Sequence, residues 1–171
     1  MNERPMIAGD HNLRAYVGPP DRYDFMGATQ FRLLTTLGLR AHHKLLDFGC
    51  GSLRSGRLFI PYLESGNYYG QEPNQWLIDE SIKNEIGRGL VDLKKPSFSN
   101  RGDFEVDFEE GFDFIVAQSV FSHTDIGLMR KGINSIVNSL NSDGLALITI
   151  IEGKDYDGSE TWVYPGCTTF R

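Results

Sequence analysis

The stretch Asp47-Phe48-Gly49-Cys50-Gly51 sets an acid two residues ahead of a Gly-x-Gly, at the end of a short apolar run. Glycines at such a point supply unusual backbone angles and let the main chain approach a ligand closely. Glu72 follows Gly51 by 21 residues, about the 20-residue spacing at which a carboxylate accepts from both hydroxyls of a ribose. Asp103 and Phe104 place an acceptor beside an apolar ring, the pairing that an adenine edge requires. His123 follows the apolar run of residues 112–117, where an imidazole could take a hydroxyl proton. Each feature also has a plainer reading. The Gly-x-Gly fits an ordinary strand-to-helix turn, and Glu72 an acid capping the next helix. Asp103 fits a turn aspartate, and His123 a helix cap or a bond to a backbone carbonyl.

These residues need a scaffold that brings them to one edge. Residues 1–22 are polar and punctuated by Gly18-Pro19-Pro20, and read as loop. From Asp24 to Leu39, Phe25, Phe31, Leu34 and Leu37 recur at helical intervals. Lys44–Phe48 reads as a buried strand. A helix is expected from near Arg54, short or bent because of Pro61. Tyr68–Gln71 is the next strand, and Asn74 is a candidate N-cap for a helix carrying Ile78, Ile82 and Ile86 up to Gly87. The 90–100 segment is weakly patterned, with one short strand expected around Phe98. Phe112–Gln118 reads as a strand, Asp125–Leu140 as a helix and Leu145–Ile151 as the most apolar strand. The tail from Glu152 to Arg171 has aromatic residues but no period.

Strands alternating with helices call for a Rossmann-like α/β fold, a mostly parallel sheet with helices on both faces. One domain is expected over 1–171: a lead-in of residues 1–43, a ligand-binding core of 44–152 and a tail of 153–171. The chain ends soon after its last strand, so the far edge of the sheet is expected to be cut short. The 171 residues carry a net charge of −6, which argues against a nucleic-acid partner. No apolar run of about 18 residues is present to span a membrane, and the N-terminus lacks the apolar segment of a secretion signal. Two cysteines do not make a disulfide framework. A cytoplasmic setting and a small-molecule substrate follow as expectations.

The choice of cofactor turns on the loop. A pyrophosphate pocket needs glycines and free N–H groups at a helix start, but the third glycine of Gly-x-Gly-x-x-Gly falls on Arg54. Asp47 adds negative charge at the same mouth. S-adenosylmethionine has no phosphate, carries a sulfonium, and ends in an ammonium and a carboxylate, which suits this chemistry better than a nicotinamide dinucleotide does.

The ordered set of segments is specific where any one is loose. The stretch LLDFGCGSLRSGR resembles the first motif of class I S-adenosylmethionine-dependent methyltransferases. YYGQEP is similar to their second-strand acidic motif, GDF to the third and FDFIVAQSVFSHT to the fourth, with LNSDGLALITI like the passage into the fifth strand. DRYDFMGATQFRLL resembles the lead-in helix of a bacterial subgroup acting on small molecules or sugars. The match runs over about residues 16–152. It implies that Gly49, Cys50 and Gly51 lie against the methionine part of the cofactor, with Asp47 beneath the loop or facing the ammonium through water. It further implies Glu72 on the ribose, Asp103 on the adenine amine with Phe104 beside the ring, and Gln118 and Ser119 facing the methyl group. Leu53 departs from the motif, which most often has glycine there.

The expected activity is methyl transfer to a small molecule, an oxygen of a sugar or metabolite being favoured, with S-adenosylhomocysteine as product and His123 the candidate base. Ser119, Phe121, Trp162 and Tyr164 are candidates for pocket lining. Tyr16, Tyr23 and Gln30 form either a lid over the cofactor or simple helix packing. His11, His42 and His43 show no ligand spacing, and no metal is expected. A cofactor-binding domain without turnover is the alternative, and a nicotinamide-dependent dehydrogenase a weaker one.

Overall fold

A computed structural model describes residues 4–171; the first three residues of the expected leading loop lie outside it. Five strands, β1 (Leu45–Phe48), β2 (Tyr68–Gln71), β3 (Ser97–Ser99), β4 (Phe112–Ala117) and β5 (Leu140–Ile148), form one sheet in the order β3-β2-β1-β4-β5. Every pairing is parallel. Parallel strands are covered on both faces, and β1 and β2 are buried at every residue.

The helices supply that cover. Leu34 of α1 (Tyr23–Thr36), Phe59 and Ile60 of α2 (Gly56–Tyr62) and Ile78 of α3 (Gln75–Ser81) pack on Leu45, Tyr68, Phe114 and Val116. On the opposite face, Ile136, Met129 and Ile133 of α5 (Ile126–Asn138) meet Leu46, Phe48, Ile115 and Ala117. Asp125 caps α5, accepting from the Leu128 N–H at 2.9 Å. Pro61 sits in the last turn of a seven-residue helix, which accounts for its shortness.

Four sequence expectations are corrected. First, of the periodic positions of α1, Phe31 and Leu34 pack on the core, but Phe25 and Leu37 are 61% and 48% exposed. The helix buries Tyr23, Gly27, Gln30 and Leu34, because its first half packs on the polar loop after β1 rather than on apolar core. Second, the helix expected from Asn74 to Ile86 is α3 followed by a widened π turn over Ile82–Ile86, closed by the Gly87 N–H on the Ile82 carbonyl at 2.7 Å. Third, the weak 90–100 segment holds a helix, α4 (Arg88–Lys94), with β3 after it. Fourth, β5 starts earlier and ends earlier than its apolar run suggests. Leu140 pairs Phe112 while Leu145 pairs Phe114, so extra residues bulge out at its start. Ile150 and Ile151 have left the sheet.

Strand order reverses between β1 and β4: β2 and β3 lie on one side of β1, β4 and β5 on the other. In such sheets the crevice at the carboxyl ends of the two central strands is where ligands bind.

Candidate functional site

A cleft of about 770 Å³ opens at that switch point. The loop after β1 forms its floor and is clamped from four directions. The Tyr23 hydroxyl of α1 and the Ser81 hydroxyl of α3 both donate to the Ser52 carbonyl, at 2.9 and 2.6 Å. The Gly51 N–H donates to Glu72 Oε2 at 3.1 Å. Asp47 accepts from Ser55 Oγ at 3.0 Å and from the Tyr68 hydroxyl at 2.9 Å, both on Oδ2. Burial pushes the Asp47 carboxyl up to about 6, the two hydroxyls and Arg54 holding it down against that. Burial likewise drives the Tyr68 phenol and the Cys50 thiol up.

The glycines have specific work here. A Cβ on Gly49 would lie 2.4 Å from Val120 Cγ2, and one on Gly51 2.8 Å from Val17 Cγ1. Both positions have positive φ, +74° and +54°. Leu53 also has positive φ, 53°, yet its side chain is fully buried in the core below the loop. The leucine therefore adopts the left-handed conformation a glycine would hold, at about 1–2 kcal/mol, and offsets it by about 2 kcal/mol of apolar burial. The helix–strand contact is made by Gly56, where a Cβ would lie 2.6 Å from the Tyr68 hydroxyl.

Asp47, Gly49, Cys50, Gly51, Glu72, Gln118, Ser119 and His123 all line this one cleft. Glu72 is 7% exposed and holds the loop and the next turn together, its Oε1 accepting from the Asn74 N–H at 2.9 Å and Asn74 Nδ2 at 2.7 Å. Asn74 occupies the N-cap of α3 without a side-chain cap bond, its amide being spent on Glu72. Asp103 and Phe104 are not brought to the cleft wall. Asp103 is gripped by Arg101 at 2.7 and 3.0 Å, which holds its carboxyl well below the usual range. The Phe104 ring packs toward Phe48 and Phe121 instead.

The side of the cleft beyond β4 comes from segments with little sequence pattern. Ser119 has φ 58° and its N–H donates to Thr149 Oγ1 at 2.7 Å. The tail returns across this end: the Thr168 N–H donates to the Ser122 carbonyl at 2.7 Å, and Tyr164 stacks on Tyr16 while its hydroxyl donates to the Tyr16 carbonyl. Burial raises the Tyr164 phenol to about 12. His123 Nδ1 lies 2.9 Å from the Gly166 carbonyl, which also accepts from Trp162 Nε1 at 2.8 Å. A carbonyl only accepts, so in the neutral imidazole Nδ1 carries the proton and Nε2 the lone pair.

Sequence reading missed Arg54, Val17, Val120, Thr149 and the Ile150–Ile151 pair as cleft residues. It also missed Gly27, where a Cβ would lie 2.5 Å from the Arg54 carbonyl. A glycine inside an otherwise regular helix was the available signal.

A doubly wound parallel sheet with a glycine loop, a second-strand acid and a cleft at its switch point defines the nucleoside-cofactor class of α/β folds. Residues 46–146 match the model of the methyltransferase domain, and the chain belongs to that family, with the class I S-adenosylmethionine-dependent fold. The N-methyltransferase NodS from Bradyrhizobium japonicum WM9, solved with S-adenosylhomocysteine, is 17% identical with a TM-score of 0.65, over 83% of this chain and 69% of that one. Magnesium protoporphyrin IX methyltransferase from Synechocystis PCC 6803, with S-adenosylmethionine bound, is 13% identical, TM-score 0.64, over 82% and 64%. The glycopeptide N-methyltransferase MtfA is 15% identical, TM-score 0.62, over 75% and 55%. At these identities the likeness is one of fold, and the chain spans about half the length of MtfA. No curated protein sequence matches the chain. No described helix is long and apolar enough to cross a membrane.

Proposed function

We propose that the chain binds S-adenosylmethionine and transfers its methyl group to a small-molecule acceptor, an oxygen of a sugar or metabolite being favoured. The observation that carries this reading is the convergence of the glycine loop, the buried Asp47 and Glu72 and the strand-end residues Gln118 and Ser119 on one cleft. When bound, the cofactor supplies an electrophilic methyl on a sulfonium. The donor set suits it: Glu72 offers carboxylate oxygens to ribose hydroxyls, and Asp47 a carboxylate to an ammonium. The loop fits the methionine part because Gly49 and Gly51 leave room that any Cβ would fill.

Gln118 and Ser119 border the reacting end, and His123 with the ring of Trp162 borders the acceptor. An acceptor hydroxyl must lose its proton as the new bond to carbon forms, and His123 Nε2 is the group to take it. The Gly166 carbonyl holds the imidazole in the tautomer this requires. Tyr164 and Tyr16 shield that end from water, which favours an in-line approach. Two unpaired cysteines fit a reducing, cytoplasmic setting. Incubation with methyl-labelled cofactor and a panel of hydroxylated and amino acceptors tests the proposal: label in an acceptor supports it, and label in none of them while the cofactor binds refutes the transfer.

A further inference from the structure

Arg54 is unlike the other arginines. Those outside ion pairs, Arg32, Arg40, Arg88, Arg130 and Arg171, are exposed. Arg54 is half-buried, and among the described residues none of the ion pairs involves it. Its Nη1 donates to the Val17 carbonyl at 3.0 Å, while Nε is buried and has no partner. Gln30 is 5% exposed and its Nε2 is likewise buried without a partner. Both side chains line the cleft beside Gly49, Gly51 and Asp47.

They are neighbours by construction. Gly27 lets α1 approach until the Arg54 carbonyl and Cγ lie 2.5 and 3.5 Å from where its Cβ would be, and Gln30 stands one turn further on the same buried face. A buried donor left unsatisfied is destabilising, and more so when charged. Two such donors on one wall are a standing demand for an acceptor, and the positive charge asks for an anionic one. A phosphate would add its full charge beside Asp47 and Glu72. An α-amino acid end brings a carboxylate for the donors and an ammonium for Asp47, whose hydrogen bonds both fall on Oδ2.

We infer that Arg54 and Gln30 together seat the methionyl carboxylate of S-adenosylmethionine, with Asp47 facing the ammonium. The inference rests on the cofactor reading above and assigns the discrimination within it. It also gives the departure from a three-glycine loop a purpose: Arg54 supplies charge where the third glycine would have supplied room for a pyrophosphate.

Calorimetric titration of the full chain with S-adenosylmethionine and with its decarboxylated analogue is the test, since the two share the nucleoside, sulfonium and ammonium. The wild-type chain is expected to bind the carboxylate-bearing compound about tenfold to a hundredfold more tightly. Arg54→Gln abolishes that preference by weakening S-adenosylmethionine alone. Gln30→Met reduces the preference and, because it removes an unsatisfied amide from the interior, leaves the melting temperature of the ligand-free chain unchanged or higher. A wild-type chain that binds both compounds equally overturns the inference while leaving the cofactor reading intact, as does Arg54→Gln weakening both alike. If Arg54→Gln fails to fold, the wild-type preference and Gln30→Met decide: a Gln30→Met chain that melts lower and keeps the full preference overturns it. A wild-type chain that binds neither compound refutes the cofactor reading and the seat together.

Discussion

Asp47 is a carboxylate that the fold holds at its own expense, and replacing it by asparagine exposes that expense. Its side chain is 2% exposed and its carboxyl titrates at about 6, against 3.8 for an unconstrained aspartate. Between about pH 4 and pH 6 the unfolded chain has released a proton that the folded chain still holds. Stability from this group therefore falls as pH rises across that window, reaching a loss of about 3 kcal/mol at neutral pH. An asparagine Oδ1 can still accept from Ser55 and Tyr68 but exchanges no proton. In urea melts from pH 4 to pH 8, the stability of Asp47→Asn relative to wild type is expected to climb between pH 4 and 6, by up to about 3 kcal/mol, and then level off. Taking the difference between the two proteins cancels every other titrating group. A difference that stays flat across the range would refute the reasoning. The same variant is expected to bind S-adenosylmethionine more weakly, since the retained negative charge is what faces the ammonium.

Leu53 and Gly27 test the loop from above and below. Leu53→Ala keeps the left-handed strain and loses the burial, costing about 2–5 kcal/mol, whereas Leu53→Gly sheds the strain and is expected to be the milder by about 1 kcal/mol in thermal or urea melts. Gly27→Ala gains up to about 1 kcal/mol of helix propensity but drives a methyl group into the Arg54 carbonyl, so a net loss of about 1–3 kcal/mol is expected; an increase in melting temperature would mean that α1 and the loop are not held this closely. His123→Ala is expected to lower methyl transfer to a hydroxyl acceptor by about 10²–10⁴-fold while leaving S-adenosylhomocysteine binding within a factor of two, read by labelled transfer and by calorimetry; an unchanged rate removes His123 as the base.

The central strands and the loop after β1 were legible in the sequence because their signals are local. Leu45, Leu46 and Phe48 around Asp47, and the run Phe114–Ala117, are too apolar for an exposed surface, and a Gly-x-Gly directly after a strand has few uses. The Glu72 spacing was readable because β2 is the neighbour of β1 and the two end level, Phe48 opposite Gln71. What escaped depends on tertiary partners. The buried face of the first half of α1 carries Tyr23, Gly27 and Gln30, a set that is not apolar and so gave no periodic signal, since the surface it meets is a polar loop. Trp162 and Tyr164 were candidates for pocket lining from their type alone, but their place at the cleft, and that of the Gly166 carbonyl on His123, follows only from the return of the tail to Ser122 and Tyr16. Leu53 was legible as a departure but not as a solution: a leucine in left-handed backbone is recognisable only once the core beneath it is seen.

Equilibrium binding of S-adenosylhomocysteine and of NAD to the purified chain, by calorimetry with thermal denaturation alongside, tests the identity of the cofactor most directly. Saturable binding and a raised melting temperature are expected with S-adenosylhomocysteine, none with NAD, and loss of the former in Glu72→Ala. Binding and stabilisation by NAD alone would contradict S-adenosylmethionine as the cofactor.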